Sequence, residues 1–93
     1  MRKIEVSENL QNIMRKLSKK DKSLYNQLLK KIDEVANAYD IEHYKNLKCN
    51  LKDSKRIHVG SFVLIFQFNK LDNSIKFDDF NHHDIIYKKK GRS

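Results

Sequence analysis

Apolar residues recur along this chain first every second position, then at helical spacing, then every second position again. Ile4 and Val6 alternate with Lys3 and Glu5, which predicts a short strand over 3–6. Ser7 is suited to cap a helix, with Glu8 set against the positive helix end. Leu10, Ile13, Met14 and Leu17 then fall at i, i+3, i+4 and i+7, the stripe of an amphipathic helix. Ser18-Lys19-Lys20 reads as a polar link, and Asp21 as the cap of a second helix. Tyr25, Leu28, Leu29, Ile32, Val35, Ala36 and Tyr39 keep the helical spacing in that helix. A link of about four residues forces the two helices antiparallel.

The period returns to two near residue 55. Ile57 and Val59 share one face of a strand, and Arg56 and His58 share the other. Gly60-Ser61 permits a tight reversal. Phe62, Leu64, Phe66 and Phe68 line one face of the next strand, with Val63, Ile65 and Gln67 opposite. Asn69 to Ser74 is rich in turn residues, and Ile75 and Phe77 begin a third strand that runs toward Asn81-His82-His83-Asp84. Three strands with short links make an antiparallel meander. The expected fold is α+β: an N-terminal strand and an antiparallel helical hairpin packed on a small, mainly antiparallel sheet. The aromatic face of the second meander strand should meet the helices, leaving Arg56, His58 and Val63 on the far side. The partner of the 3–6 strand in that sheet is not legible.

Composition narrows the picture. Ninety-three residues, without proline and with only Gly60 and Gly91 as glycines, give no linker and support one domain, 1–93, ending in a basic tail over 88–93. Twenty Lys+Arg against twelve Asp+Glu leave a formal charge of +8, so an anionic partner is expected. The lone Cys49 excludes an internal disulfide framework and fits a reducing compartment. No run approaches about 18 apolar residues, and Met1-Arg2-Lys3 leads into no apolar signal segment. A soluble cytoplasmic protein without a membrane partner is expected.

The polar groups converge. Arg56 and His58 point the same way from one strand. Lys48 and Lys52 come just before it, and His82, His83 and Tyr87 just after the third strand. Strand spacings near 4.8 Å allow such segments to come within about 10–15 Å. The resulting face holds cations, imidazoles and a phenol, with Asp84, Asp78 and Asp79 as the nearby carboxylates. RNA cleavage without a metal needs a base for the 2′-hydroxyl proton, positive groups for the phosphorane, and an acid for the leaving 5′-oxygen. Histidine serves as either acid or base near neutral pH. Arg56 offers a fork matched to phosphate oxygens, and Tyr87 stacks on a base or supplies a proton. Simpler roles stand beside these. Adjacent strand residues face opposite ways, so one of His82 and His83 is expected at the site. Tyr87 could cover the core edge, His43 and Tyr44 cap or pack after the second helix, and Lys88-Lys89-Lys90 with Arg92 form a solvated tail. His58, His82, His83, Asp84 and Cys49 show no recognisable metal-ligand spacing, so neither metal nor cofactor is expected.

The run Leu47-Lys48, Leu51-Lys52, Lys55-Arg56-Ile57-His58-Val59-Gly60-Ser61-Phe62-Val63-Leu64-Ile65-Phe66 resembles the central block of the RelE/ParE toxin superfamily. The closing Phe80-Asn81-His82-His83-Asp84-Ile85-Ile86-Tyr87 is similar to that family's last segment, and the helix pair fits as well. The resemblance implies a toxin held silent by a cognate acidic antitoxin, in a complex of higher order. RelE-type members cut messenger RNA on the ribosome; ParE-type members inhibit DNA gyrase. Residue by residue, it implies catalytic roles for Arg56, His58, His83 and Tyr87; charge and position on the same face add Lys48, Lys52, His82, Lys88 and Lys89 as candidate RNA contacts. Val63 stands where cleaving members usually carry an arginine, His83 where the closing segment usually has one, and Asn81 replaces the usual glycine. The histidines and Tyr87 favour an endoribonuclease. A gyrase-binding toxin and a non-catalytic basic nucleic-acid-binding domain are the alternatives.

Overall fold

The computed structural model describes residues 2–41 and 54–90, the last four by backbone only. The elements run β1 (Lys3–Val6), α1 (Glu8–Lys20), α2 (Lys22–Ala36), β2 (Ser54–Val59), β3 (Phe62–Asn69), β4 (Ser74–His82) and α3 (His83–Lys90). The strands form one sheet in the order β1-β4-β3-β2. β2, β3 and β4 make the expected antiparallel meander, and β1 joins it parallel to β4. The expected α+β architecture is therefore present, and the partner of β1 is now fixed.

Capping sets the helix boundaries. Ser7 Oγ accepts the backbone N–H of Leu10 at 3.0 Å and donates to the Asp78 carbonyl at 2.7 Å, so one hydroxyl starts α1 and ties it to β4. Ser7→Ala is expected to cost about 1–2 kcal/mol of stability, read as a lower urea midpoint at unchanged slope. An unchanged midpoint would remove the cap from the account of this corner.

The link between the helices is shorter than expected. α1 continues through Ser18, Lys19 and Lys20, and only Asp21 separates it from α2. Lys19 and Lys20 are good helix formers and sit where a helix end carries partial negative charge. Asp21 donates its N–H to the Leu17 carbonyl at 2.9 Å and accepts from the Leu24 N–H through its carboxylate at 3.1 Å, closing one helix and opening the next. At the other end α2 stops at Ala36 rather than Tyr39. The Asn37 side chain donates to the Asp33 carbonyl at 2.8 Å and terminates the ladder. Tyr39 is then fully exposed instead of lying on the apolar stripe.

The main core fills the space between hairpin and sheet. Leu10, Leu28, Ile32 and Val35 from the helices meet Val59, Leu64, Phe66, Ile75, Phe77 and Phe80 from the strands. A bulge interrupts β3–β4 pairing between Ile65 and Phe66, opposite Asp78. Asp79, buried there, accepts from Asn9 Nδ2 at 3.2 Å and from the Phe80 N–H at 2.9 Å. At one edge the Arg2 guanidinium lies over the Phe68 ring, 5.6 Å from its centre, and bonds to Asn73 Oδ1 and the Ala38 carbonyl.

Val63 lies on the far face of the sheet, as expected, but that face is not fully open. α3 crosses that face, and Ile86 joins Val63 and Ile65 in a second, separate cluster whose three members are fully buried. The expected tail over 88–93 begins as helix: the α3 backbone extends to Lys90.

Candidate active site

β2 carries Arg56 and His58 on the face away from the hairpin, opposite Ile65 and Val63 of β3 in the register. Gly60, at φ +61°, adopts the left-handed backbone that favours glycine and turns β2 back into β3. Phe62 then stands opposite His82. This register brings the end of β4 beside the β2–β3 turn, and the His83 N–H donates to the Ser61 carbonyl at 2.9 Å. α3 therefore starts against the turn that ends the Arg56/His58 strand.

Three imidazoles gather at this junction. The His58 and His83 ring centres are 6.3 Å apart, and those of His82 and His83 are 6.4 Å apart. His82 also stands edge-on to Phe62, 5.7 Å between ring centres. His58 and His83 are exposed, whereas Arg56 and His82 are half-buried. Both His82 and His83 thus reach the junction. The chain leaves the strand conformation between them, so the alternation that separates neighbouring strand residues no longer applies.

The carboxylates divide. Asp79 is occupied at the bulge, and Asp78 accepts from Gln67 Nε2 at 2.6 Å. Asp84 lies at the imidazoles: its Oδ1 is 3.0 Å from His83 Nδ1, its backbone N–H donates to His82 Nδ1 at 3.1 Å, and its Oδ2 is 3.8 Å from that same nitrogen. From sequence, Asp84 is a nearby carboxylate on this face with no role of its own. The signal available was its place directly after His83 and before Ile85-Ile86, in the first turn of a helix that was not expected.

Tyr87, Lys88 and Lys89 belong to α3 by their backbone, so they follow His83 within two turns. Lys48, Lys52, Cys49, His43 and Tyr44 lie outside the described residues. A depression lined by Glu5, Gln67, Lys70, Asp72 and Lys76 sits at the opposite end of the β3–β4 pair and contains none of the expected site residues.

Known proteins share this fold. No family model matches the chain. A protein of Methanocaldococcus jannaschii named as a candidate toxin, RelE4, is 45% identical over 91 residues, which is 97% of this chain and 95% of that protein. This chain belongs to the RelE toxin family. The structure of a metal-bound toxin from Helicobacter pylori, 26% identical, superposes with a TM-score of 0.75 over 92% of this chain and 99% of its own. The toxin–antitoxin complex RelBE of Escherichia coli contributes a further match of fold, at 21% identity and a TM-score of 0.69 over 88% of this chain and 96% of that one. RelE membership accounts for the strand, helical hairpin and meander read from the sequence. Among the described residues no helix is long and apolar enough to cross a membrane.

Proposed function

We propose that this RelE-family chain is an endoribonuclease that cleaves messenger RNA on the ribosome, with Arg56, His58, His83 and Tyr87 as its working residues. The observation that carries the proposal is the separation of the His58 and His83 rings, 6.3 Å between centres. Two imidazoles gathered this closely, both exposed, can address different oxygens of one bound phosphodiester. One imidazole takes the proton of a 2′-hydroxyl, whose oxygen bonds to phosphorus. The bond from phosphorus to the 5′-oxygen breaks, and the other imidazole, protonated, gives that oxygen its proton. The products are a 2′,3′-cyclic phosphate and a free 5′-hydroxyl. Arg56, on the same strand face as His58, stabilises the charge that grows on the phosphoryl oxygens. Lys48, Lys52, His82, Lys88 and Lys89 serve the flanking backbone, consistent with the +8 charge.

The same charge suits an acidic antitoxin that folds as it binds, in a higher-order complex as the family resemblance implies. The Helicobacter pylori toxin is described as metal-bound. Among the described residues here, no group of three or more His, Cys, Asp or Glu side chains is placed to hold an ion, and the steps above involve none.

The test is single-turnover cleavage of a reporter message in a translation extract, with the neighbouring reading frame's product added as the antitoxin. Message cut on ribosomes, and spared when that product is present, is the expected result. The burial of Val63, where cleaving members usually present an arginine, favours gyrase inhibition as the second reading. Intact message with blocked gyrase supercoiling would establish that reading instead. Two variants resolve Tyr87. Tyr87→Phe keeps the ring and Tyr87→Ala removes it; equal losses assign the hydroxyl to chemistry or phosphate. A loss confined to alanine, of about 1–3 kcal/mol, assigns the ring to base stacking.

A further inference from the structure

Resting on the cleavage reading above, we infer that Asp84 is a positioning residue that fixes the tautomer of His83 and leaves His83 Nε2 as the proton-accepting atom of the site. An ionised carboxylate only accepts, so the 3.0 Å contact between Asp84 Oδ1 and His83 Nδ1 requires the proton on Nδ1. The lone pair of neutral His83 is then on Nε2, the nitrogen on the far side of the ring from Asp84. His82 is held the opposite way. Its Nδ1 accepts the Asp84 backbone N–H at 3.1 Å, so that nitrogen carries the lone pair and Nε2 carries the proton. The longer approach of Asp84 Oδ2 to the same His82 nitrogen, 3.8 Å, exceeds hydrogen-bond range and does not compete.

One aspartate thus sets two neighbouring imidazoles in opposite tautomers, one through its side chain and one through its backbone. His82 caps the start of α3 and holds the Asp84 backbone in place, and Asp84 in turn orients His83. The His83 backbone N–H donates to the Ser61 carbonyl at 2.9 Å, which fixes the backbone of His83 against the turn. This arrangement distributes the roles left open above. His83 accepts the 2′-hydroxyl proton at Nε2, and His58, protonated, donates to the leaving 5′-oxygen, so the proton count is unchanged across the step. Asp84 touches no substrate atom in this scheme.

The experiment reads the tautomers directly, by side-chain nitrogen NMR of the intact chain well above the ordinary histidine titration. His43→Gln, His58→Gln and His82→Gln variants assign the four histidines. His83 is expected in the Nδ1–H form and His82 in the Nε2–H form. Asp84→Ala should release His83 toward the Nε2–H form while His82 stays as it was, because its partner is a backbone group. Asp84→Asn retains a side-chain oxygen acceptor and should restore the Nδ1–H form. Single-turnover cleavage should fall about three- to five-fold in the alanine variant, the scale of an exposed pair, and recover in the asparagine variant. A wild-type His83 in the Nε2–H form, or one indifferent to Asp84→Ala, would overturn the inference whether or not the chain cuts RNA. The expected tautomers in a chain that cuts nothing would overturn the cleavage reading, and with it the role given to Asp84.

Discussion

Arg56→Ala is expected to slow cleavage of ribosome-bound message by roughly 30- to 1000-fold, equivalent to about 2–4 kcal/mol of transition-state stabilisation. The phosphorane needs a permanent cation beside it, and position 63, which usually supplies one in cleaving relatives, holds a buried valine in this chain. The remaining guanidinium on that strand face therefore carries a larger share. Arg56 is half-buried and cross-strand from Ile65, so its stem also packs. Arg56→Met keeps most of that stem and removes the charge. Both variants should fold, as judged by urea unfolding, and both should lose activity at the chemical step under saturating ribosomes. A folded methionine variant that cleaves at the wild-type rate would move the phosphate contact elsewhere.

The second large effect is expected from Ile86. α3 rests on the sheet through this side chain, in a cluster of only three residues. Ile86→Ala removes a fully buried side chain, a change that costs about 2–5 kcal/mol where the surroundings stay rigid. Among the described residues Ile86 is the buried apolar side chain of α3, so release of the helix is expected instead of a retained cavity. Hydrogen exchange should accelerate across the α3 amides while β3 and β4 stay protected by the main core on the other face. Cleavage should fall by an order of magnitude or more, since Tyr87 rides on α3 and His83 begins it. Wild-type exchange in α3 would show that the helix is anchored by other contacts.

Much of this architecture is legible from periodicity, and the exceptions have physical causes. The 3–6 strand, both helices and the three meander strands follow from the spacing of their apolar residues. β1 pairing with β4 is not legible, since nothing local specifies which strand four exposed or half-buried residues join. α2 appears longer than it is because Tyr39 sits in helical register beyond Asn37, whose side chain closes the helix. α3 escapes notice because Ile85 and Ile86 are surrounded by histidine, aspartate and lysine and give little amphipathic pattern. The missed signal lies in β3: the unbroken run Phe62-Val63-Leu64-Ile65-Phe66 describes a strand covered on both faces, and the second face requires a cover. At the site, Arg56 and His58 are legible from alternation. The meeting of His58 with His83 depends on the Phe62–His82 register, which only the folded sheet displays.

The burial of Val63 also bears on redesign. An engineer wishing to give this chain the arginine common among cleaving relatives could not do so by a single codon change. A guanidinium at position 63 would be shut between Ile65 and Ile86 with its charge desolvated, a penalty that a small domain cannot absorb. The helix would have to be lifted away or its isoleucine replaced at the same time. Position 63 and position 86 are therefore coupled in this chain: a cation at the first and a docked isoleucine at the second exclude one another.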